Sequence, residues 1–181
     1  MKIFDTPPPG ALARVIGMQA EWYGRNWNFG LRFEAILASE VGDYALNLPH
    51  PDCRTWTAVD QGQVVGTITI DGRGAPAARL RWFIVEERAR GGLGRQLLER
   101  ALNFCREREF SEVWLTTFAG LDVARALYEQ AGFRLEHEAP DTTWGVRVAE
   151  QRFRCQLDRA PAFAFQAEAA MRAANGVGQF A

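Results

Sequence analysis

Histidine and cysteine are scarce in this 181-residue chain, with two of the first and three of the second. His50 and His137 lie too far apart in sequence to form a metal motif. Cys53, Cys105 and Cys155 are widely spaced, odd in number and show no CxxC pair. That excludes a disulfide framework and a zinc spacing. An excess of one charge is also lacking: 21 Lys and Arg face 22 Asp and Glu, for a net charge of -1. Such a chain has no global attraction for nucleic acid or anionic membrane, so any anion site must be local. No apolar run reaches the roughly 18 residues of a membrane span. The start, Met1-Lys2-Ile3-Phe4-Asp5, lacks the apolar core of a signal peptide. These absences predict a soluble, cytoplasmic protein with no metal and with no nucleic-acid or membrane partner.

What is present is an ordinary globular balance, 48% hydrophobic and 24% charged. The length suffices for one buried core. Apolar residues recur at helical spacing over 11–27 (Leu12, Val15, Ile16, Trp22, Tyr23, with Gln19 as a gap). An aromatic break at 26–30 precedes a second helix with Phe33, Ile36, Leu37, Val41, Tyr44 and Ala45 on one stripe. The period then becomes two. Residues 55–59 and 64–70 read as strands joined by a tight Asp60-Gln61-Gly62-Gln63 turn. Residues 78–85 read as a central strand whose end, Trp82-Phe83-Ile84-Val85, is fully buried. A glycine-rich turn leads into a helix over 92–109, followed by a strand at 112–118, a helix at 121–131 and strands at 133–138 and 146–157. Strands 78–85 and 112–118 are expected to be parallel neighbours, because a right-handed crossover joins them. The predicted fold is α/β, a mixed sheet of about seven strands with helices on both faces, over residues 1–160. Residues 161–181 read as an alanine-rich helix and tail, which covers either the sheet or a partner subunit and so leaves a homodimer open.

The most informative stretch is Arg88-Ala89-Arg90-Gly91-Gly92-Leu93-Gly94-Arg95-Gln96, between a strand and an amphipathic helix. Glycines let the backbone approach a ligand closely. The free amides of the first helical turn and the helix dipole favour an anion, and Arg90 and Arg95 add positive charge. The GxGxxG and Walker patterns are absent. Two readings stand: a pyrophosphate cradle, or a flexible turn with solvated arginines.

In its neighbourhood this stretch resembles the acetyl-CoA-binding turn, Arg/Gln-x-x-Gly-x-Gly/Ala, of the GNAT family of N-acetyltransferases. Leu127-Tyr128-Glu129-Gln130-Ala131-Gly132-Phe133 resembles the family's LYEKxGF segment. The resemblance covers residues 1–157. More narrowly, residues 22–35 and 144–153 are similar to the acetyltransferase half of bacterial proteins that fuse a MarR-type repressor to such a domain. Those fusions carry a winged-helix domain in front, and this chain starts at the acetyltransferase, so DNA binding is not expected. Two departures stand out. Counting back from Gly94, the Arg/Gln position falls on Ala89, with Arg90 one residue later. The asparagine often found seven residues before the family's tyrosine is Leu121.

The resemblance implies an acetyl-CoA-dependent N-acetyltransferase acting by direct attack of an amine, on a sheet whose parallel strands 78–85 and 112–118 splay apart. No metal is needed. The acceptor is a primary amine of a small molecule or an amino terminus. Phe83, Ile84 and Val85 would pair with the pantetheine arm through their backbone. Arg90, Gly91, Gly92, Leu93, Gly94, Arg95 and Gln96 would hold the pyrophosphate. Tyr128 matches the tyrosine that protonates the leaving thiolate, and otherwise is a packing residue. Trp27, Phe29, Arg32, Glu34 and Trp82 are the candidate acceptor residues, with Trp22, Tyr23 and Trp144 nearby in type. Arg32 and Arg81 either meet a substrate carboxylate or pair with Glu34 and Asp71. The strand lacks the glutamate many members use as base, so Glu34, Asp71, Glu150, a relayed water or an already neutral amine remain. An acyl-CoA-binding module without turnover and a protein lysine acetyltransferase are the alternatives.

Overall fold

The computed structural model describes residues 1–89 and 91–157. The expected helix at 161–174 and Arg90 lie outside the described residues. The elements run β1 (Lys2–Phe4), α1 (Ala11–Trp27), α2 (Leu31–Leu46), β2 (Cys53–Asp60), β3 (Gln63–Asp71), β4 (Ala77–Val85), α3 (Leu93–Glu107), β5 (Glu112–Phe118), α4 (Asp122–Gln130), β6 (Arg134–Asp141) and β7 (Val148–Gln156). Seven strands form one mixed sheet in the order β1-β2-β3-β4-β5-β7-β6. All neighbours are antiparallel except β4 and β5, which are parallel.

Local chemistry accounts for the joints. Gln61 and Gly62 both take positive φ, 48° and 78°, in the two-residue turn that links β2 to β3. Gly132, at φ 95°, closes α4, and the Phe133 N–H donates back to the Tyr128 carbonyl at 3.0 Å. The helices divide over the two faces. On one, α3 presents Leu93, Leu97, Leu98, Ala101, Leu102 and Cys105 to Val65, Ile68, Leu80 and Val113. On the other, α2 packs Phe33, Leu37, Val41 and Tyr44 with Phe29, Trp82 and Phe118. Burying one leucine in this way stabilises the fold by about 1.5–3 kcal/mol.

Two readings need correction. The buried face of α1 is Ala11, Val15, Met18 and Gln19, whereas Leu12, Ile16, Trp22 and Tyr23 are half-buried. The position read as a polar gap is thus part of the covered face. Within Trp82-Phe83-Ile84-Val85, Trp82 is buried and the other three are half-buried. This end of β4 has no strand on its β5 side.

Candidate functional site

The sheet opens where β4 and β5 part. They pair only at Ala77–Glu112, Ala78–Val113 and Arg79–Trp114. Beyond Arg79, β4 stays on β3 as far as Val85, and β5 stays on β7 as far as Phe118. Each half of the sheet keeps its ladder, so a V with two free backbone edges lies between them. A bulge sharpens it. Thr69 faces Arg81 and Thr67 faces Ile84, so Trp82 and Phe83 together oppose Ile68. Trp82 sits at φ 47°, an uncommon backbone state for a bulky residue. The bulge shifts the side-chain alternation by one. Ala78 and Leu80 face α3, Trp82 joins the α2 cluster, and Phe83 and Val85 return to the α3 side.

The glycine turn stands at the open end of the V. After Val85, the Glu86 N–H donates to the Val65 carbonyl at 2.8 Å, and the Glu86 carboxylate is gripped by Arg14 and Arg88. One short 3-10 turn, Glu87–Ala89, leads to Gly91 and Gly92 at φ 50° and 93°. Gly92 caps α3 with no side-chain hydrogen bond. The first amides of an α-helix have no partner within it, and they carry the positive end of its dipole. On the side where a Cβ would stand, Gly91 and Gly92 meet nothing within 4 Å. Leu93 turns its side chain into the core, while Arg95 and Gln96 stay exposed. Phe83, Ile84 and Val85 thus lie on the free β4 edge, and Gly91 to Gln96 stand at the start of α3 beyond it. Open space around the glycines and free edges in the V fit a nucleotide-linked, extended ligand.

Tyr128, near the end of α4, is only 5% exposed. Its ring packs among Phe83, Phe133 and Phe153 at centroid distances of 6.1, 5.8 and 6.3 Å. Burial pushes its phenol above the ordinary value, and the nearby Tyr23 phenol adds to the shift. Tyr23, on α1, is raised by burial too. The two phenols come from opposite faces of the sheet.

A cavity of about 90 Å³ opens on the α1–α2 side of the V, lined chiefly by Gln19, Tyr23, Glu40, Arg79, Arg81 and Trp82, with Thr116, Phe118 and Trp144 beside them. Of the expected acceptor residues, Trp82 lines it. Phe29 and Trp27 support its wall through Phe118, at centroid distances of 5.4 and 5.7 Å. Arg32 and Glu34 are exposed on α2, and the Arg32 Nε–H donates to the Thr143 carbonyl at 2.8 Å. Arg81 reaches both Glu40, at 2.7 Å, and Asp71, at 3.4 Å. Asp71 is poorly suited to be a base. Burial opposes its ionisation, but hydrogen bonds and charge from Arg73, with the charge of Arg81, outweigh that and hold it at about 2. Glu150 accepts from the Trp144 indole N–H at 3.4 Å. The three cysteines are buried, and burial pushes the Cys105 thiol up to about 12.

Gln19, Glu40, Arg79 and Thr116 were not foreseen at this site. Gln19 had a signal, a polar residue inside an apolar helical stripe. Arg79 and Thr116 had only their alternation in strands.

The family model for the acetyltransferase (GNAT) family matches residues 18–133. N-acetylaspartate synthetase from Danio rerio is 38% identical over 90 residues, covering 49% of this chain and 32% of that protein. The chain thus spans about a third of the length of that curated relative. Ribosomal-protein-alanine N-acetyltransferase from Brucella melitensis superposes with a TM-score of 0.68 at 19% identity, over 86% of this chain and 99% of that one. An aminoglycoside 6'-N-acetyltransferase solved with coenzyme A gives 0.63 at 17% identity, over 89% and 99%. With the parallel pair, its opening and the glycine-started helix in place, the match over more than half the sequence makes this chain a member of the GNAT acetyltransferase family.

Proposed function

We propose that the chain transfers the acetyl group of acetyl-CoA to a primary amine of a small molecule or an amino terminus by direct attack. The observation that carries this reading is the V between β4 and β5, which holds the glycine-capped start of α3 at its mouth and Tyr128 on its flank. The amides of residues 91–96 receive the pyrophosphate, and Arg90 and Arg95 add charge. The free β4 edge at Phe83, Ile84 and Val85 pairs with the pantetheine arm as an added strand. The acceptor enters from the α1–α2 side. Its nitrogen lone pair attacks the thioester carbonyl, the C–N bond forms and the C–S bond breaks. The Tyr128 O–H gives its proton to the departing sulfur. Glu34 is exposed and Asp71 is locked by arginines, so the amine arrives neutral or loses its ammonium proton to water, and the N–H proton shed after attack leaves through water and restores the Tyr128 phenol.

A relative named for N-acetylaspartate favours a compact free amine over a protein lysine. A cytoplasmic location, a second copy of the chain and the likeness of residues 22–35 and 144–153 to MarR-fused acetyltransferases belong to this same reading. No described helix is long and apolar enough to cross a membrane.

The test is thiol release from acetyl-CoA across a panel of small amines, amino-terminal peptides and lysine peptides. Release with one class and not the others assigns the acceptor. Tight acetyl-CoA binding with no release in any arm makes the chain an acyl-CoA-binding module instead.

A further inference from the structure

Two buried hydrogen-bond donors line the cavity and have no acceptor. Gln19 is 8% exposed, and its Nε2 has no partner. Across from it, the Arg79 Nε is buried and equally unpartnered. One Arg79 Nη–H reaches Thr116 Oγ1 at 3.4 Å, a long bond. Arg79 forms no ion pair among the described residues. Its guanidinium lies over the Trp114 ring at 4.7 Å, and Arg152 lies over the same ring at 4.5 Å. Desolvation is the main influence on Arg79 and pushes its pKa down, with the charge of Arg81 adding to it. Glu40, Asp71 and Glu150 offset this only in part, and each is engaged elsewhere, Glu150 by the Trp144 indole N–H. Glu40 is joined to Arg81, and Asp71 is held by Arg73 and Arg81. A half-buried guanidinium with a buried, unpartnered N–H and no ion-pair partner among the described residues, and a buried amide without an acceptor, are both costly. The two cluster at one place, the closed end of the V, where Arg79–Trp114 is the last paired position before the strands part.

We propose that the acceptor is a compact amine that also carries a carboxylate, an amino acid or close analogue, whose carboxylate docks on Arg79 and the Gln19 amide. This rests on the acetyltransferase reading above and names its substrate class. A carboxylate supplies the two missing acceptors and the missing negative charge in one group. The closed end of the V fixes that group, which leaves the amine directed toward the free strand edges where the thioester would lie. Tyr23, Trp82, Phe118 and Trp144 wall the space between and suit an ammonium group before it loses its proton. A cavity of about 90 Å³, below the roughly 300 Å³ of a drug-sized site, suits a compact acceptor.

The experiment compares matched pairs: each common amino acid against the amine lacking its carboxylate. Thiol release from acetyl-CoA is one readout. Calorimetric binding of the amine to the protein, with and without CoA, is the other and needs no turnover. The expected result is a carboxylate preference of about 10- to 100-fold, as for a hydrogen bond to a charged group. Arg79→Met should abolish the preference while acetyl-CoA affinity holds, Arg79→Lys should keep part of it, and Gln19→Leu should weaken it. Equal binding of both members of every pair overturns the proposal, as does a preference that survives Arg79→Met. If Arg79→Met fails to fold, the wild-type pairs and Gln19→Leu still decide. Failure of the acetyltransferase reading is seen separately, as absent acetyl-CoA binding or absent thiol release while amine binding is still measured.

Discussion

A phenol that protonates a leaving thiolate must hold its proton until the sulfur departs, and the surroundings of Tyr128 favour that. Burial among Phe83, Phe133 and Phe153 raises its pKa above the ordinary tyrosine value, and the Tyr23 phenol adds to this. The hydroxyl therefore stays protonated through the pH range where amines become neutral. Replacement by phenylalanine keeps the ring packing and removes only the proton. Tyr128→Phe is expected to lower kcat by about 10²- to 10⁴-fold with acetyl-CoA affinity unchanged. Steady-state kinetics beside calorimetry would show this, and full activity at every pH would assign Tyr128 to packing alone. Asp71 gives a second prediction, on stability. Its native pKa of about 2 is below the unfolded 3.8. Its stabilisation is thus fully present above about pH 4 and fades as pH falls toward 2, and amounts to about 2 kcal/mol. Asp71→Asn should cost about that much in urea unfolding at pH 7 and much less near pH 2.5. An equal loss at both pH values would mean that packing, not charge, sets the effect.

Among the elements, α3 joins the mouth of the site to the core. Gly92 needs φ 93° to start it. Gly92→Val places a branched side chain in open space before the first-turn amides and in a strained backbone state, at about 1–2 kcal/mol. The expected outcome is a large rise in the acetyl-CoA Kd with a folded protein, read by calorimetry and circular dichroism. Unchanged affinity would refute the pyrophosphate site. Gly94 differs, since a Cβ there would make ordinary contacts with Leu127 and Phe83 at 3.5 Å. Gly94→Ala should therefore bind normally. The elements were legible because each carries a local signal: a period of two or 3.6, a Gln61-Gly62 turn, a glycine before α3. The Trp82 bulge carries none, since its cause is the pairing of β4 with a strand of different register. The cavity residues Gln19, Glu40, Arg79 and Thr116 were hidden for a related reason. They come from α1, α2, β4 and β5, and only the folded sheet brings them together.

At the scale of the whole molecule, the V divides the sheet. On one side lie β1 to β4 with α1 and α2 packed on them, and on the other lie β5, β7 and β6. Among the described residues, three paired positions, the Ser111 N–H donated to the Pro76 carbonyl and the helices hold the halves together at this seam. A ligand that adds a half-strand to β4 supplies backbone partners that the apo protein lacks. Acetyl-CoA should therefore stabilise the chain by mass action, by about 2.7 kcal/mol at a concentration 100 times its Kd. The location of the effect is more telling than its size. Hydrogen exchange should slow at residues 82–85, at 117–118 and in the first turn of α3. The β1–β2 edge, remote from the V, should change only as far as global unfolding controls it. Uniform protection would show a general rise in stability with no strand added. Protection confined to α3 would place the pyrophosphate correctly while leaving the pantetheine arm outside the V, and the geometry assigned here to the acetyl group would then be wrong.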